Sequence, residues 1–401
     1  MNGEDALNAV EAFTALIGAA ALVGLVARRF RIPYTVALVL FGLGVSATAP
    51  QIGLAITPEL VLAVLLPGLV FEAAYQTNFD TLQRTFGGIT LLAVPGVLIS
   101  AGVVAVVLNV FAGLRLDLAF VVGAMVSATD PAAVIATFKR LKTPRRLTTM
   151  VEGESLFNDG TAIVIFIIAL REVRAPIPPT EAIVSFVVTV AASVVIGAVV
   201  GFLASRIVAR VDDHLIELTI SVVVAYGTYL LSDRLGESGI IATVVAGITF
   251  GTYGRRIGLS ERTQEALDAV WEFLAFLLTA LVFLLVGLAI SPQQLVDAAV
   301  PIAWGVLAIL IGRALAIYLL LGGGSRLILG QSRAVSAGWL HVLFWSGLRG
   351  AVAVALALSL PLDIPQRELL QAIVFGIVVF TLLVQGTTIE LVTRRALADE
   401  E

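Results

Sequence analysis

Apolar runs of roughly 17 to 25 residues follow one another along almost the whole chain, each long enough to cross about 30 Å of hydrocarbon at 1.5 Å per helical residue. Inside a bilayer no water satisfies the backbone, so only α-helices and closed β-barrels can span it. Barrel strands would alternate apolar and polar residues in pieces of about ten, and these runs do not alternate. The chain therefore reads as an all-α polytopic membrane protein. Its 59% hydrophobic and 13% charged residues lie outside the range of soluble domains. The net charge of −4 is divided between loops on two sides of a membrane and says little about partners. Without cysteine there is no disulfide, thiolate metal site or nucleophilic thiol.

Hydropathy divides the chain into thirteen expected transmembrane helices, at 9–27, 33–49, 59–75, 87–112, 117–138, 147–170, 181–205, 214–232, 238–253, 267–290, 299–321, 334–360 and 366–392. An odd number puts the termini on opposite sides. With loops assigned alternately, one side collects 18 of the 25 Lys and Arg, so the N-terminus is expected outside and the C-terminus in the cytoplasm. The first run lacks the positive region that opens a secretory signal, since Glu4, Asp5 and Glu11 precede it and Arg28, Arg29 and Arg31 follow it. A retained first helix is expected. The charged stretch Ser205 to Glu217 reads as a solvated linker, and no polar stretch is long enough for a soluble domain.

Polar residues inside the spans are few and clustered. The sixth span carries Glu152, Glu154, Ser155, Asn158 and Asp159 ahead of a lipid-compatible run. An acidic residue at the centre of a membrane helix costs about 2.5 to 3.5 kcal/mol, so carboxylates kept there are expected to work. Glu154 and Asn158 share one helix face, Ser155 and Asp159 the next. Oxygen ligands of this hardness suit Na⁺, Li⁺ or a proton. Asp159 is the deepest and is the expected chemical group; Glu152, nearest the basic loop, reads as a funnel residue.

The fifth span is interrupted at Ser127-Ala128-Thr129-Asp130-Pro131. Proline removes a backbone donor and disfavours helix at the residue before it, so a break is expected near Thr129 and Asp130. Such a break frees carbonyls that can serve as ion ligands, with Asp130 capping the second half. The twelfth span carries Gly347-Leu348-Arg349-Gly350, where glycine permits irregular backbone and Arg349 offers a cation to the carboxylates. Spans five and twelve are seven apart. Two inverted six-helix repeats, spans 1–6 and 8–13 joined by the seventh, would therefore place crossed discontinuous helices 5 and 12 in equivalent positions around a midplane site. Glu72, in the third span, reads as a structural hydrogen-bonding group ahead of a transport ligand. His341 reads as a satisfied helix histidine. Gly197-xxx-Gly201 and Gly247-xxx-Gly251 read as internal packing sites.

Thr129-Asp130-Pro131, Glu154-Ser155-Leu156-Phe157-Asn158-Asp159-Gly160, Gly347-Leu348-Arg349-Gly350-Ala351-Val352 and Leu66-Pro67-Gly68-Leu69-Val70-Phe71-Glu72 together resemble the sodium/proton exchanger branch of the monovalent cation/proton antiporters, the NhaP-like type. The family often has a second proline where Gly68 stands. The likeness runs from about residue 10 to 392. It implies a single transporter unit, 1–401, with a dimerisation part at 1–86 and 210–297, an ion-transport core at 87–175 and 298–401, and a linking span at 176–209. It implies a homodimer in a prokaryotic cell membrane, and transported Na⁺ or Li⁺ and H⁺ in place of any cofactor.

By motif position Asp159 is similar to the family's ion- and proton-binding aspartate. Thr129, Ser155 and Glu154 correspond to further Na⁺ ligands, direct or through water. Asn158 stands where electrogenic relatives have a second aspartate, which points to electroneutral one-for-one exchange. Buried arginines of the family match Arg349 and Arg313, either of which could pair with Glu154. The same fold could instead exchange K⁺ for H⁺. A cation channel would want rings of ligands and a continuous polar path, which isolated clusters do not suggest. Enzyme chemistry is not expected, since the chain has neither His-Glu-x-x-His nor Gly-x-Ser-x-Gly. Nor is a nucleic-acid partner.

Overall fold

The computed structural model describes residues 3–30, 32–48, 60–211, 213–324 and 335–398, and all regular structure among them is helical. The first helices are α1 (Gly3–Phe30), α2 (Tyr34–Thr48) and α3 (Leu60–Gln76). Helix α4 (Phe79–Ala112) starts from Asn78, whose side chain accepts the Thr81 N–H. It ends at Gly113, whose φ of 69° turns the chain out of the helix. Two short helices follow, α5 (Leu116–Met125) and α6 (Ala132–Leu141). The long α7 (Arg145–Arg174) and α8 (Pro179–Val208) come next, and Pro179 occupies a first-turn position where its missing N–H goes unneeded.

Side-chain caps start most of the remaining long helices. Asp213 caps α9 (His214–Arg234), Ser238 caps α10 (Gly239–Thr249) and Ser260 caps α11 (Glu261–Ala289). A short α12 (Pro292–Asp297) leads into α13 (Ala299–Gly323). The last three are α14 (Ala337–Trp345), α15 (Ala351–Leu358) and α16 (Arg367–Ala398). Hydropathy alone did not anticipate α12, because it is too short and polar to register as a span; Pro292 in its first turn is the local signal.

Among the described residues, seven helices are long and apolar enough to cross a membrane: α4, α8, α9, α13, α16, and most of α1 and α11. Helices α2, α3 and α5 are shorter and apolar. Burial separates outer from inner elements. Only 11% of the most apolar window of α8 is buried, against 72% for α16, so α8 offers Ile183, Val187, Val195 and Phe202 to lipid while α16 lies in the interior. The expected linker from Ser205 to Glu217 is shorter than its charge suggested. Ser205 is fully buried in α8 and bonds the Gly201 carbonyl, and Glu217 is buried in α9, so only 209–213 connects the two helices.

Several helices contain wide turns. The turn at Leu92–Gly96 in α4 absorbs Pro95, whose ring leaves no N–H for the regular ladder. Others lie at Phe250–Gly254, directly after α10, and at Thr381–Gln385 in α16. The spaced glycines serve internal packing, as expected. A Cβ on Gly197 would overlap the Ala242 carbonyl, and one on Gly201 would lie 2.8 Å from the Ala246 carbonyl, so their absence lets α8 lie against α10. Phe71, Tyr75, Phe250 and Trp271 form an aromatic cluster with ring centroids 4.8–6.4 Å apart, and Trp271 Nε1 donates to Ser221 Oγ at 2.9 Å. This cluster holds α3 against α9, α10 and α11.

Candidate functional site

Two interruptions meet inside the protein. Residues 126–131 leave the helical path between α5 and α6, where Pro131 predicted it, and residues 346–350 do so between α14 and α15, where the glycines predicted it. Asp130 joins them. Its Oδ1 accepts the Ala132 N–H at 3.0 Å, capping α6. Its backbone N–H donates to the Leu348 carbonyl at 2.8 Å, and its Oδ2 lies 3.5 Å from the Ala351 nitrogen at the start of α15. Gly350 is required here, because a Cβ would overlap the Asp130 carboxylate.

Arg349, 2% exposed, reaches from one break into the other: its Nη1 donates to the carbonyls of Ser127 at 3.0 Å and Ala128 at 3.2 Å. It thus supplies positive charge and donors to carbonyls of the break itself, just past the end of α5. Its backbone N–H is held by Thr381 Oγ1 at 3.0 Å. The guanidinium of Arg349 therefore serves backbone carbonyls, while the ion pair with Glu154 belongs to Arg313. Arg313 binds both carboxylate oxygens of Glu154, with Nη2 to Oε2 at 2.9 Å, and donates to the Leu343 carbonyl at 2.7 Å. All of these groups are buried, and Gly347 leaves the room that Arg313 Nε occupies.

One turn along α7, Ser155 and Asn158 brace the first break. Ser155 Oγ donates to the Thr129 carbonyl. Asn158 Nδ2 donates to Thr129 Oγ1 at 2.7 Å, and Asn158 Oδ1 accepts the Thr129 N–H at 3.2 Å. Asp159 follows immediately. Its Oδ1 is buried and has no hydrogen-bond partner among the described residues, although Asp130 and Arg349 lie close enough to act on it electrostatically. A buried carboxylate oxygen left unpaired is costly, and a proton or a small hard cation relieves that cost.

Thr129, Asp130, Glu154, Ser155, Asn158, Asp159, Arg313 and Arg349 thus come together. Glu72 does not join their hydrogen bonds. It is half-buried on α3 and has no hydrogen-bond partner among the described residues, so its expected structural hydrogen bond is not found there. The charges that act on it are those of Lys139 and of the carboxylates Glu152, Glu272 and Asp268. His341 is satisfied as expected, with Nδ1 2.7 Å from the Tyr318 hydroxyl. Sequence reading missed Thr381. A threonine in an apolar run, with Gln385 four positions on, was the available signal.

An all-helical membrane protein in which two helix breaks meet beside an unpaired buried carboxylate oxygen has the construction of a secondary cation transporter. Residues 15–395 match the family described as sodium/hydrogen exchanger, transmembrane, and the chain belongs to that family. It is 41% identical to the Na⁺/H⁺ antiporter ApNhaP of Aphanothece halophytica, over 91% of this chain and 70% of that one. It is 36% identical to the Na⁺/H⁺ antiporter NhaP of Pseudomonas aeruginosa, over 85% of this chain and 82% of that one. Its fold matches that of the sodium proton antiporter MjNhaP1 from Methanocaldococcus jannaschii with a TM-score of 0.81 at 20% identity, covering 98% of both chains.

Proposed function

We propose that the chain exchanges Na⁺, or Li⁺, for H⁺ across a prokaryotic cell membrane, one for one, with the two cations competing for Asp159. Family membership and the Na⁺/H⁺ antiporters among its relatives support the reaction. The single observation that carries the site is the unpaired, buried Oδ1 of Asp159 beside the crossing of the two breaks. Thr129 and Ser155 are the neighbouring Na⁺ ligands in this reading. Glu154 adds its charge from behind its pair with Arg313, reaching the ion through water. Asn158, Asp130 and Arg349 hold the breaks in place, and Glu72 and Glu152 line the cytoplasmic approach.

The chain crosses the membrane thirteen times in this reading, as two inverted repeats, with the N-terminus outside and the C-terminus in the cytoplasm. Helices α4 to α7 and α13 to α16 form a core that rocks against a dimerising part made of α1 to α3 and α9 to α11, with α8 between them. Transport follows from the energetics of one carboxylate. Protonated or cation-bound it is neutral, whereas empty it is a charge in a low-dielectric interior, so only loaded forms move. Asp159→Asn removes the charge while keeping the size. Sodium-dependent proton flux in proteoliposomes should vanish in that variant, and flux at the wild-type rate would refute the assignment.

A further inference from the structure

A cavity of about 250 Å³ lies away from the ion site, at the join between α3 and α4. Tyr75, Thr77, Asn78 and Asp80 line one wall; Arg255 and Arg256, just beyond the wide turn that prolongs α10, line the other. Arg255 is committed, with Nη2 bonded to Asp268 and the guanidinium 4.4 Å over the Tyr75 ring, but its Nε is buried without a partner. Arg256 is loosely held: its side chain is 67% exposed and reaches only Asp80, at 3.9 Å. Tyr75 is 1% exposed, and its hydroxyl, beside Arg255 and Asp268, makes no hydrogen bond of ordinary geometry. The N-terminus of the 34-residue α4 opens at the same wall and adds its partial positive charge.

Two guanidiniums, a tyrosine hydroxyl and a helix N-terminus around one cavity are the donors that a phosphate uses. Asp80 is the carboxylate already there, and at 3.9 Å it holds Arg256 weakly. We propose that the cavity binds the phosphate of an anionic phospholipid, with Arg256 turning from Asp80 to the lipid. A lipid is favoured over a free anion because the cavity sits at helix ends, on the side to which the loop assignment gives most of the chain's basic residues, with the exposed Phe79 ring in its wall. A bound phosphate would tie the end of α10 to the start of α4 across the 77–78 join. Given the core motion proposed above, that join flexes in every cycle, so the tie slows turnover and leaves cation binding alone.

Binding is tested first, on the purified protein in detergent, by calorimetry with short-chain phosphatidylglycerol, short-chain phosphatidylcholine and inorganic phosphate. Phosphatidylglycerol should bind and phosphatidylcholine should not. Arg256→Ala should weaken binding about fivefold. Tyr75→Phe, which deletes the hydroxyl beside Arg255 and Asp268, should weaken it as well. Arg28→Ala, an exposed arginine on the same basic side, should leave it unchanged. Equal affinity in wild type and Arg256→Ala, or an equal fall in Arg28→Ala, overturns the site. Inorganic phosphate binding without phosphatidylglycerol binding overturns the lipid assignment. Transport is tested second, in phosphatidylcholine vesicles with and without phosphatidylglycerol. The anionic lipid should lower the maximal rate, with Na⁺ half-saturation unchanged, and Arg256→Ala should restore the rate. Binding without any effect on rate would leave the site standing and refute the hinge motion.

Discussion

At the scale of single residues, most of the buried charge around Asp159 is spoken for. Glu154 is neutralised by Arg313 through two nitrogens, and Arg349 is spent on the carbonyls at the end of α5. Breaking a buried ion pair from one side leaves an uncompensated charge and costs about 3–5 kcal/mol, whereas removing both partners together costs less. Glu154→Gln should therefore lower the apparent melting temperature in detergent markedly, and Glu154→Gln combined with Arg313→Met should recover much of the loss. Strictly additive losses in the double variant would show that the two side chains are not coupled. Which arginine served Glu154 was not legible in the sequence. The partners lie 159 positions apart, and both arginines sit beside glycine in apolar helices, so local pattern offers no means of choosing. The acidic and amide groups of α7 were legible, because four polar side chains within six residues of an apolar helix are too costly to be incidental.

At the scale of elements, the two breaks carry the design, and each could be read from backbone chemistry. Pro131 forbids a continuous helix, and Gly347 and Gly350 permit the irregular path that Arg349 needs. The wide turns were harder to read. Pro95 marks one, but Thr381–Gln385 has neither proline nor glycine within it, and its position follows from the Thr381 hydroxyl meeting the Arg349 N–H across 32 residues. Tertiary contact places such a turn, so local propensity does not reveal it. The crossing itself tolerates little added volume. In Gly350→Ala the new methyl meets the Asp130 carboxylate, and relieving that overlap pushes Asp130 off its Ala132 and Ala351 contacts. A destabilisation of about 1–3 kcal/mol is expected. Exchange should fall in step with it, measured as proton flux per correctly folded molecule recovered by gel filtration. Wild-type flux would mean that the breaks can separate without harm.

At the scale of the whole molecule, the fixed charges decide what crosses the membrane with each cycle. If the core moves as one body, the ion pair of Glu154 and Arg313 travels with it, and so do the charges of Asp130, Asp159 and Arg349. Three carboxylates against two arginines leave the empty site one negative charge in excess, and the cation or proton taken up at Asp159 cancels it. In the one-for-one exchange proposed above, Asp159 carries a proton one way and a sodium ion the other and is neutral in both directions, because Asn158 adds no second charge. The membrane potential, which acts on moved charge at about 2.3 kcal/mol per elementary charge per 100 mV, then has nothing to act on. Exchange in proteoliposomes should proceed at one rate whether the voltage is clamped with K⁺ and valinomycin at zero or at −100 mV, and solid-supported membrane recordings should show no current that scales with flux. A voltage-dependent rate would mean that a second site charge is released during the cycle. Glu154 would be the first to examine, because it is a buried carboxylate of the site and is neutralised by the side chain of Arg313.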